Sequence, residues 1–497
     1  MARRHRHLIG YRILLVLVIP TMYFLCVSVA GLFSSDVGGG RNLQSIRLRK
    51  ILGIETNTET TINCTSPAVN EFPPDGLTRQ QRQSGFVAIH VIIVTYLFLV
   101  LAIVCDDYFI PSIKMICEKL NVAKDVAGAT LMAAATSSPE LFINVVGTFV
   151  TEGDLGVGTI VGSAVFNILA VPACCGLFAS QVLELEWWPV SRDSLCYGIT
   201  VGLLIVTLKD GRVEWYEALV LVVAYVLYIL AMAFNERISN FMNWALARRR
   251  KYKNLSEESP LVPKNLNKEK NVHSFELSDD DSVEIVNMTQ WPNSKLERIW
   301  WLLTWPINLV LLVTVPDCRR KSLRSWYPLT FIMCIVWIAL ISYVVAWIIT
   351  IIGDTLTIPD SVMGLTFLAA GMSVPEAVSS VIVTNHGHGT MGISNSIGSN
   401  IFDVLLCLGL PWFIKSAFLP KTPGLYSVKI NSEGLVYSSV SLLSTLLLLY
   451  LMLFINKFKL DRKVGFQCLT MYGIFLILAS LIELNIFFVV NMPTCVH

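Results

Sequence analysis

Apolar runs of membrane-crossing length recur along most of the chain, and a helix needs roughly 20 such residues to span a bilayer. In the first half they fall at Phe86–Cys105, Asp125–Thr151, Gly156–Ser180, Leu195–Val206 with its flanks, and Val213–Phe234. In the second half they fall at Leu329–Ile352, Ser361–Thr384, Met391–Phe413, Leu435–Phe454 and Phe466–Val490. The pattern predicts an all-α polytopic membrane protein of about ten transmembrane helices. Its two five-span halves, residues 86–234 and 328–490, are separated by a polar stretch at 235–327.

The polar segments set the orientation. Met1–His7 is basic and precedes the apolar run Ile13–Leu32, with Ser28-Val29-Ala30 resembling a small-residue cleavage site. Residues 1–32 therefore read as a signal peptide, or as an uncleaved anchor. Either way residues 33–85 are extracellular or lumenal, and the sequon Asn63-Cys64-Thr65 makes Asn63 a glycosylation candidate. Arg248-Arg249-Arg250-Lys251 place the central loop in the cytosol, as does the parity of five preceding spans. The patch Asp279-Asp280-Asp281 in that loop reads as solvated disorder. The run 299–315 is short, broken by Pro306, rich in Trp and followed by Arg319-Arg320-Lys321. It is expected as an interfacial helix on the cytosolic face, because crossing would put those charges outside. Lys457, Lys459, Arg462 and Lys463 then fall in the cytosol, and the two halves have inverted topology. Cys64 and Cys495 share the oxidising side, where a disulfide between them is compatible with the topology.

Composition agrees and excludes other classes. The 497 residues are 54% hydrophobic and only 15% charged, with a net charge of +2 that offers nucleic acid nothing to bind. Of the 12 cysteines, most lie in apolar segments, and neither a CxxC pair nor a Cys/His cluster suggests zinc. The absence of a P-loop sequence argues against ATP-driven pumping, and nothing suggests an enzyme or a bound cofactor.

The chemistry lies in a duplication. Residues 128–169 and 364–405 align without a gap at an offset of 236, with 15 of 42 positions identical. Each copy carries a carboxylate directly after a proline within an apolar segment: Pro139-Glu140 and Pro375-Glu376. An intramembrane acid is costly unless it lines a cavity or meets a cation. Two of them at matching places point to a cation site where the repeats meet. The polar candidates of the first copy are Thr136, Ser137, Glu140, Ser163 and Asn167; those of the second are Ser373, Glu376, Ser399 and Asp403. Spacings of three and four put each pair on one helix face. Pro139 and Pro375 are expected to kink their helices and free carbonyls near Ala133 and Ala369. The all-oxygen set suits calcium, which takes six to eight oxygens, and sodium or potassium. Soft metals are disfavoured because neither motif core holds Cys or His. His386 and His388 read as solvated turn residues. Ser and Gly alone would mark only a packing surface; Glu140, Glu376 and Asp403 argue against that. The Asn167/Asp403 exchange breaks the symmetry by one negative charge.

At these residues the chain resembles the sodium/calcium exchanger superfamily, and within it the potassium-dependent sodium/calcium exchangers. The resemblance is carried by SSPELF with GDLGVGTIVGSAVFNIL, and by SVPE with SNSIGSNIFDVL. The flanks NCTSPAVNEFPPDG, VCDDYFIP, WPINLVLLVTVPDCRR and LPWF extend it over most of residues 63–490. It implies antiport, with sodium entering as calcium and potassium leave. It implies calcium and sodium ligation by Glu140 and Glu376, potassium dependence through Asp403, and supporting ligands at Ser137, Ser163, Asn167, Ser373 and Ser399. The chain departs from the family pattern at Glu376 (usually Asp), at Met372 (usually Thr) and at Ala135 (usually Gly).

The expectation is thus a secondary-active antiporter with two inverted five-helix repeats, working by alternating access and embedded in lipid, in the plasma membrane or, as the alternative, in an intracellular organelle of the secretory pathway. A homo-oligomer is compatible with it. Proton/calcium exchange, potassium-independent sodium/calcium exchange, and a channel or purely structural protein are the rivals.

Overall fold

The computed structural model describes residues 67–119, 133–151, 153–178, 182–234, 295–385, 389–419, 426–430, 432 and 434–486. The signal or anchor segment, Asn63, Cys64, the bulk of the cytosolic loop, His386, His388 and Cys495 lie outside the described residues.

Among the described residues nine helices are long and apolar enough to cross a membrane. The first is α1, Arg79–Cys117; α2 is the shorter helix Ser138–Phe149, preceded by the single turn Ala133–Thr136. Then come α3 (Leu155–Phe178), α4 (Trp187–Leu208) and α5 (Trp215–Ala233). Helix α6, Lys295–Thr314, contains Pro306. The second half holds α7 (Leu323–Leu356), α8 (Asp360–Asn385), α9 (Gly392–Phe418), α10 (Gly434–Ile455) and α11 (Arg462–Glu483). The span expected at 125–151 is described only from residue 133, so it does not count among the nine. Helix α1 is longer than its apolar run because it includes a first turn that kinks at Gly85 (φ 119°), just before Phe86, and it has a wide turn at Val104–Phe109.

Four short strands fix how the halves are related. Strand β1 (Leu183–Glu184), between α3 and α4, pairs antiparallel with β4 (Lys459–Leu460), between α10 and α11. Strand β2 (Arg212–Glu214), between α4 and α5, pairs antiparallel with β3 (Ser427–Lys429), between α9 and α10. Because α4 separates β1 from β2, the two pairs lie at opposite ends of the bundle. The third-to-fourth connection of one half therefore shares an end with the fourth-to-fifth connection of the other. That arrangement requires the halves to be inverted, as the charge pattern predicted. Lys457, Lys459, Arg462 and Lys463 all cluster at the β1/β4 end, the one that the charge pattern expects in the cytosol.

Small residues let the halves interlock. Helix α3 is buried over 94% of its apolar window, whereas α5 is buried over 22% and turns the rest to lipid. Backbones approach closely where α3 crosses α8. A Cβ on Gly162 would lie 2.1 Å from the Leu365 carbonyl oxygen, and one on Gly364 would lie 2.5 Å from that of Leu155. Only glycine fits such a crossing.

At the outer end, the segment before α1 is tied to the α7–α8 turn. The buried Arg82 guanidinium reaches Asp75 at 3.4 Å and Asp354 at 3.3 Å, and His90 Nε2 lies 3.2 Å from Asp75. The Ala68 amide donates to Asp360 at 3.1 Å. Helix α6 lies against α1 and α7: the Tyr96 hydroxyl donates to the Leu303 carbonyl, and the Trp337 indole donates to Thr314. Both anchors sit well inside their spans, so α6 is sunk against the two first helices of the halves. The charges that follow it, Arg319 and Asp317, pair with each other, and Arg319 also reaches Asp107 at the inner end of α1.

Candidate cation-binding site

The duplicated motifs form α2, α3, α8 and α9, and their polar residues converge where α3 passes α8 and α9. Every one of Ser137, Glu140, Ser163, Asn167, Ser373, Glu376, Ser399 and Asp403 is at most 5% exposed. Buried this deeply, each of their polar atoms needs a partner.

The local backbone presents these groups. At Ser137 the first copy breaks (φ −97°, ψ 12°), and Pro139 opens the new helix α2 rather than kinking a continuous one. Proline is well suited there, since the first helical amides have no intrahelical partner. In the second copy Pro375 sits inside α8, which runs on unbroken. The carbonyl that Pro139 leaves without its i+4 donor is Ala135's, and the Ser138 hydroxyl takes it at 3.0 Å. Asn167 and Asp403 occupy equivalent wide turns, Phe166–Ala170 and Asp403–Leu408, where α3 and α9 open to π-helical geometry. Such bulges turn side chains off the regular helix face and are frequent at functional sites.

Glu376 is held from the opposite repeat. Asn167 Nδ2 donates to its Oε2 at 2.5 Å, and the Thr136 hydroxyl also bonds its carboxylate. Asn167 Nδ2 lies 3.0 Å from Asn400 Oδ1, and Asn400 Nδ2 donates to the carbonyl of Ala164, its own counterpart 236 positions earlier. The Ser396 hydroxyl donates to the Asn167 carbonyl at 2.9 Å. On the other side Ser137 lies beside Asp403, and Glu140 is close enough to feel the charges of both Asp403 and Glu376. Cys407 Sγ stands 3.9 Å from Asp403 Oδ1 and 3.9 Å from the Ser137 carbonyl oxygen. The Asn144 amide donates to the Cys407 carbonyl.

After these bonds, a set of oxygens is left over. Ser137 Oγ, Glu140 Oε2, Asn167 Oδ1, Ser373 Oγ, Glu376 Oε1 and Asp403 Oδ2 are buried with no hydrogen-bond partner among the described residues. Ser163 and Ser399 spend their protons on carbonyls of their own helices, at 3.1 Å each, which leaves their oxygen lone pairs outward. Six orphaned oxygens, all from predicted positions and spread over both repeats, make a site short of positive charge. Among the described residues, no three Asp, Glu, His or Cys side chains already close on one point as a metal cage. The donor set is instead mixed, as hard cations prefer.

Sequence reasoning missed Asn400, Ser396, Asn144 and Cys407. Asn400 carried a signal, a polar side chain where the first repeat has Ala164. Met372, where the resemblance leads one to expect Thr, belongs to the apolar cluster of Phe98, Leu368 and Ile349. Its counterpart Thr136 serves Glu376, so the oxygen that aids one glutamate has no equivalent at 372.

The profile of the family described as "sodium/calcium exchanger protein" matches residues 90–234 and 326–481, more than half of the chain. Human sodium/potassium/calcium exchanger 4 is 37% identical over 90% of this chain and 90% of its own. Human sodium/potassium/calcium exchanger 5 is 38% identical over 86% of this chain and 90% of its own. A solved structure of the sodium-calcium exchanger NCX_Mj covers 78% of this chain and 97% of its own, at 19% identity and a TM-score of 0.43. Matched through both halves and along nearly its full length, the chain belongs to the sodium/calcium exchanger family.

Proposed function

We propose that the protein is a potassium-dependent sodium/calcium exchanger, which moves calcium with potassium in one direction and sodium in the other. The observation that carries this reading is the set of six buried, unpartnered oxygens shared between inverted repeats. Relatives named sodium/potassium/calcium exchanger, alike over most of the chain, support the choice of ions.

The reading assigns roles as follows. Glu140 and Glu376 hold calcium or sodium, Asn167 holds Glu376 in place, and Thr136, Ser137, Ser163, Ser373 and Ser399 complete the oxygen shell. Of the carbonyls expected near Ala133 and Ala369, the one freed by Pro139 is Ala135's and is taken by the Ser138 hydroxyl, so the side-chain oxygens carry the site. Asp403 adds the third carboxylate, where the first repeat has only an amide. Charge counting then explains the coupling: three ionised carboxylates are matched by one divalent and one monovalent cation. Unpaired buried charges cost several kilocalories each, so the site cannot turn over empty. It must reload with sodium before it faces the other side, which makes the cycle an antiport driven by ion gradients. Calcium and sodium compete because they use the same oxygens. The protein works in the plasma membrane, with its central loop on the cytosolic side.

The test is calcium uptake into proteoliposomes holding purified protein. Uptake driven by an outward sodium gradient, and not by a pH gradient of equal size, supports the reading. Uptake driven by the pH gradient alone would replace it with proton/calcium exchange, and uptake indifferent to both would indicate a channel.

A further inference from the structure

Cys407 has no part in the exchange derived above, yet it shares the site. It is fully buried, and its thiol faces the Asp403 carboxylate and the Ser137 carbonyl at 3.9 Å each. Around it stand Asp403 Oδ2, Ser137 Oγ and Glu140 Oε2, all buried and all without a partner among the described residues. At the equivalent place in the first repeat stands Val171, so the thiol exists on one side only. The other sequence-predicted ligands are oxygen donors and therefore hard; the second thiol nearby, Cys105, lies on the Glu140 side next to Ser138.

We propose that Cys407 and Asp403 form a binding position for soft divalent cations, of which cadmium is the probe, within the exchanger's own cation site. The proposal rests on the cation-site reading above. A thiolate selects soft metals over calcium and strontium, which prefer oxygen. On binding, the Cys407 S–H bond breaks, a sulfur–cadmium bond forms, and the proton leaves to water. Asp403 and the Ser137 carbonyl supply oxygen ligands to the same ion. Cadmium held there occupies the Asp403 side and competes with both calcium and potassium. The protein thus carries a soft-metal sensitivity that its oxygen ligands alone do not predict.

The experiment measures sodium-dependent calcium uptake against rising cadmium, and separately against rising strontium, in wild type, Cys407→Ser and Cys407→Val. The readout is the ratio of the two inhibitory concentrations within each protein, which is insensitive to how much active protein remains. Substitution is expected to weaken cadmium relative to strontium by roughly tenfold or more, in line with the loss of one soft ligand. Cadmium binding to purified protein gives a second readout: an ultraviolet thiolate-to-cadmium band, reversed by calcium, present in wild type and lost in Cys407→Ser. An unchanged cadmium-to-strontium ratio in both variants, or a calcium-reversible band that survives in Cys407→Ser, overturns the proposal. Loss of sodium dependence in the wild type would overturn the exchanger reading instead, so the two failures are distinguishable.

Discussion

Gly162 and Gly398 occupy identical places in the two repeats, but the structure predicts opposite responses to a single methyl group. A Cβ at 162 would sit 2.1 Å from the Leu365 carbonyl oxygen and 2.6 Å from the Ala369 methyl, both on α8. Real contacts of this kind are essentially never under 3.0 Å, so the shortfall against the carbonyl is 0.9 Å, and backbone rather than a flexible side chain must move. A Cβ at 398 meets only the Tyr228 hydroxyl at 3.7 Å, an ordinary contact. Overpacking of this kind costs about 1–3 kcal/mol. The functional effect is larger, because Gly162 lies five residues before Asn167, whose bond to Glu376 across the same crossing is only 2.5 Å long. Displacing reacting or binding groups by about 1 Å can cost on the order of a hundredfold. Sodium-dependent calcium uptake, normalised to protein at the cell surface, should therefore fall by roughly ten- to a hundredfold in Gly162→Ala. Gly398→Ala should stay close to wild type. Equal damage in the two variants, or none in Gly162→Ala, would refute the close crossing of α3 and α8 as the frame of the site.

Other outcomes follow from the same geometry. Glu140→Gln and Glu376→Gln should each abolish sodium-dependent calcium uptake while surface abundance, measured by biotinylation, is maintained. Asn167→Ala removes the donor to Glu376 and should raise the calcium concentration for half-maximal uptake by roughly ten- to a hundredfold, as loss of a ligand-orienting partner does. Arg82→Ala removes the cation shared by the half-buried acids Asp75 and Asp354, leaving His90 and Arg79 as their remaining basic partners, so thermal unfolding in detergent should show a loss of about 1.5–3 kcal/mol. The Lys459–Glu184 pair, 2.7 Å apart at the cytosolic rim, is the contrast. Lys459 holds the Glu184 carboxyl below its ordinary range, first through their hydrogen bond and then through charge. Its contribution is present at neutral pH and lost as acid protonates the carboxylate. Both side chains are solvent-screened, so Lys459→Ala should leave the melting curve unmoved.

Much of this was legible in the sequence because the bilayer imposes few solutions. Apolar length gave the spans, and flanking Lys and Arg gave their direction; the β1/β4 and β2/β3 pairs then showed the inversion independently. Glu140, Glu376 and Asp403 stood out because acids are rare in such segments, and each retains a buried oxygen without a partner. The first boundary was readable: Gly85 (φ 119°) breaks the chain just before Phe86, and the turn Arg79–Gln81 ahead of it is tied down by the contacts of Arg82 with Asp75 and Asp354. Proline misled in part. Pro139 and Pro375 look alike in sequence, yet one starts a helix and the other lies within one, since the break at Ser137 is not repeated at Ser373. Asn400 and Cys407 were overlooked because a lone amide or thiol in an apolar helix resembles packing until its neighbours across the interface are known.

The most direct test of the central claim is calcium uptake into sodium-loaded cells, with external potassium present or replaced by an inert cation, in wild type and Asp403→Asn. Three buried carboxylates matched by calcium plus potassium predict that wild-type uptake requires both internal sodium and external potassium. With Asp403 made an amide like Asn167, calcium alone balances the remaining two charges, and uptake should continue without potassium. A wild type that needs sodium but ignores potassium, or an Asp403→Asn variant that still demands potassium, would contradict the account.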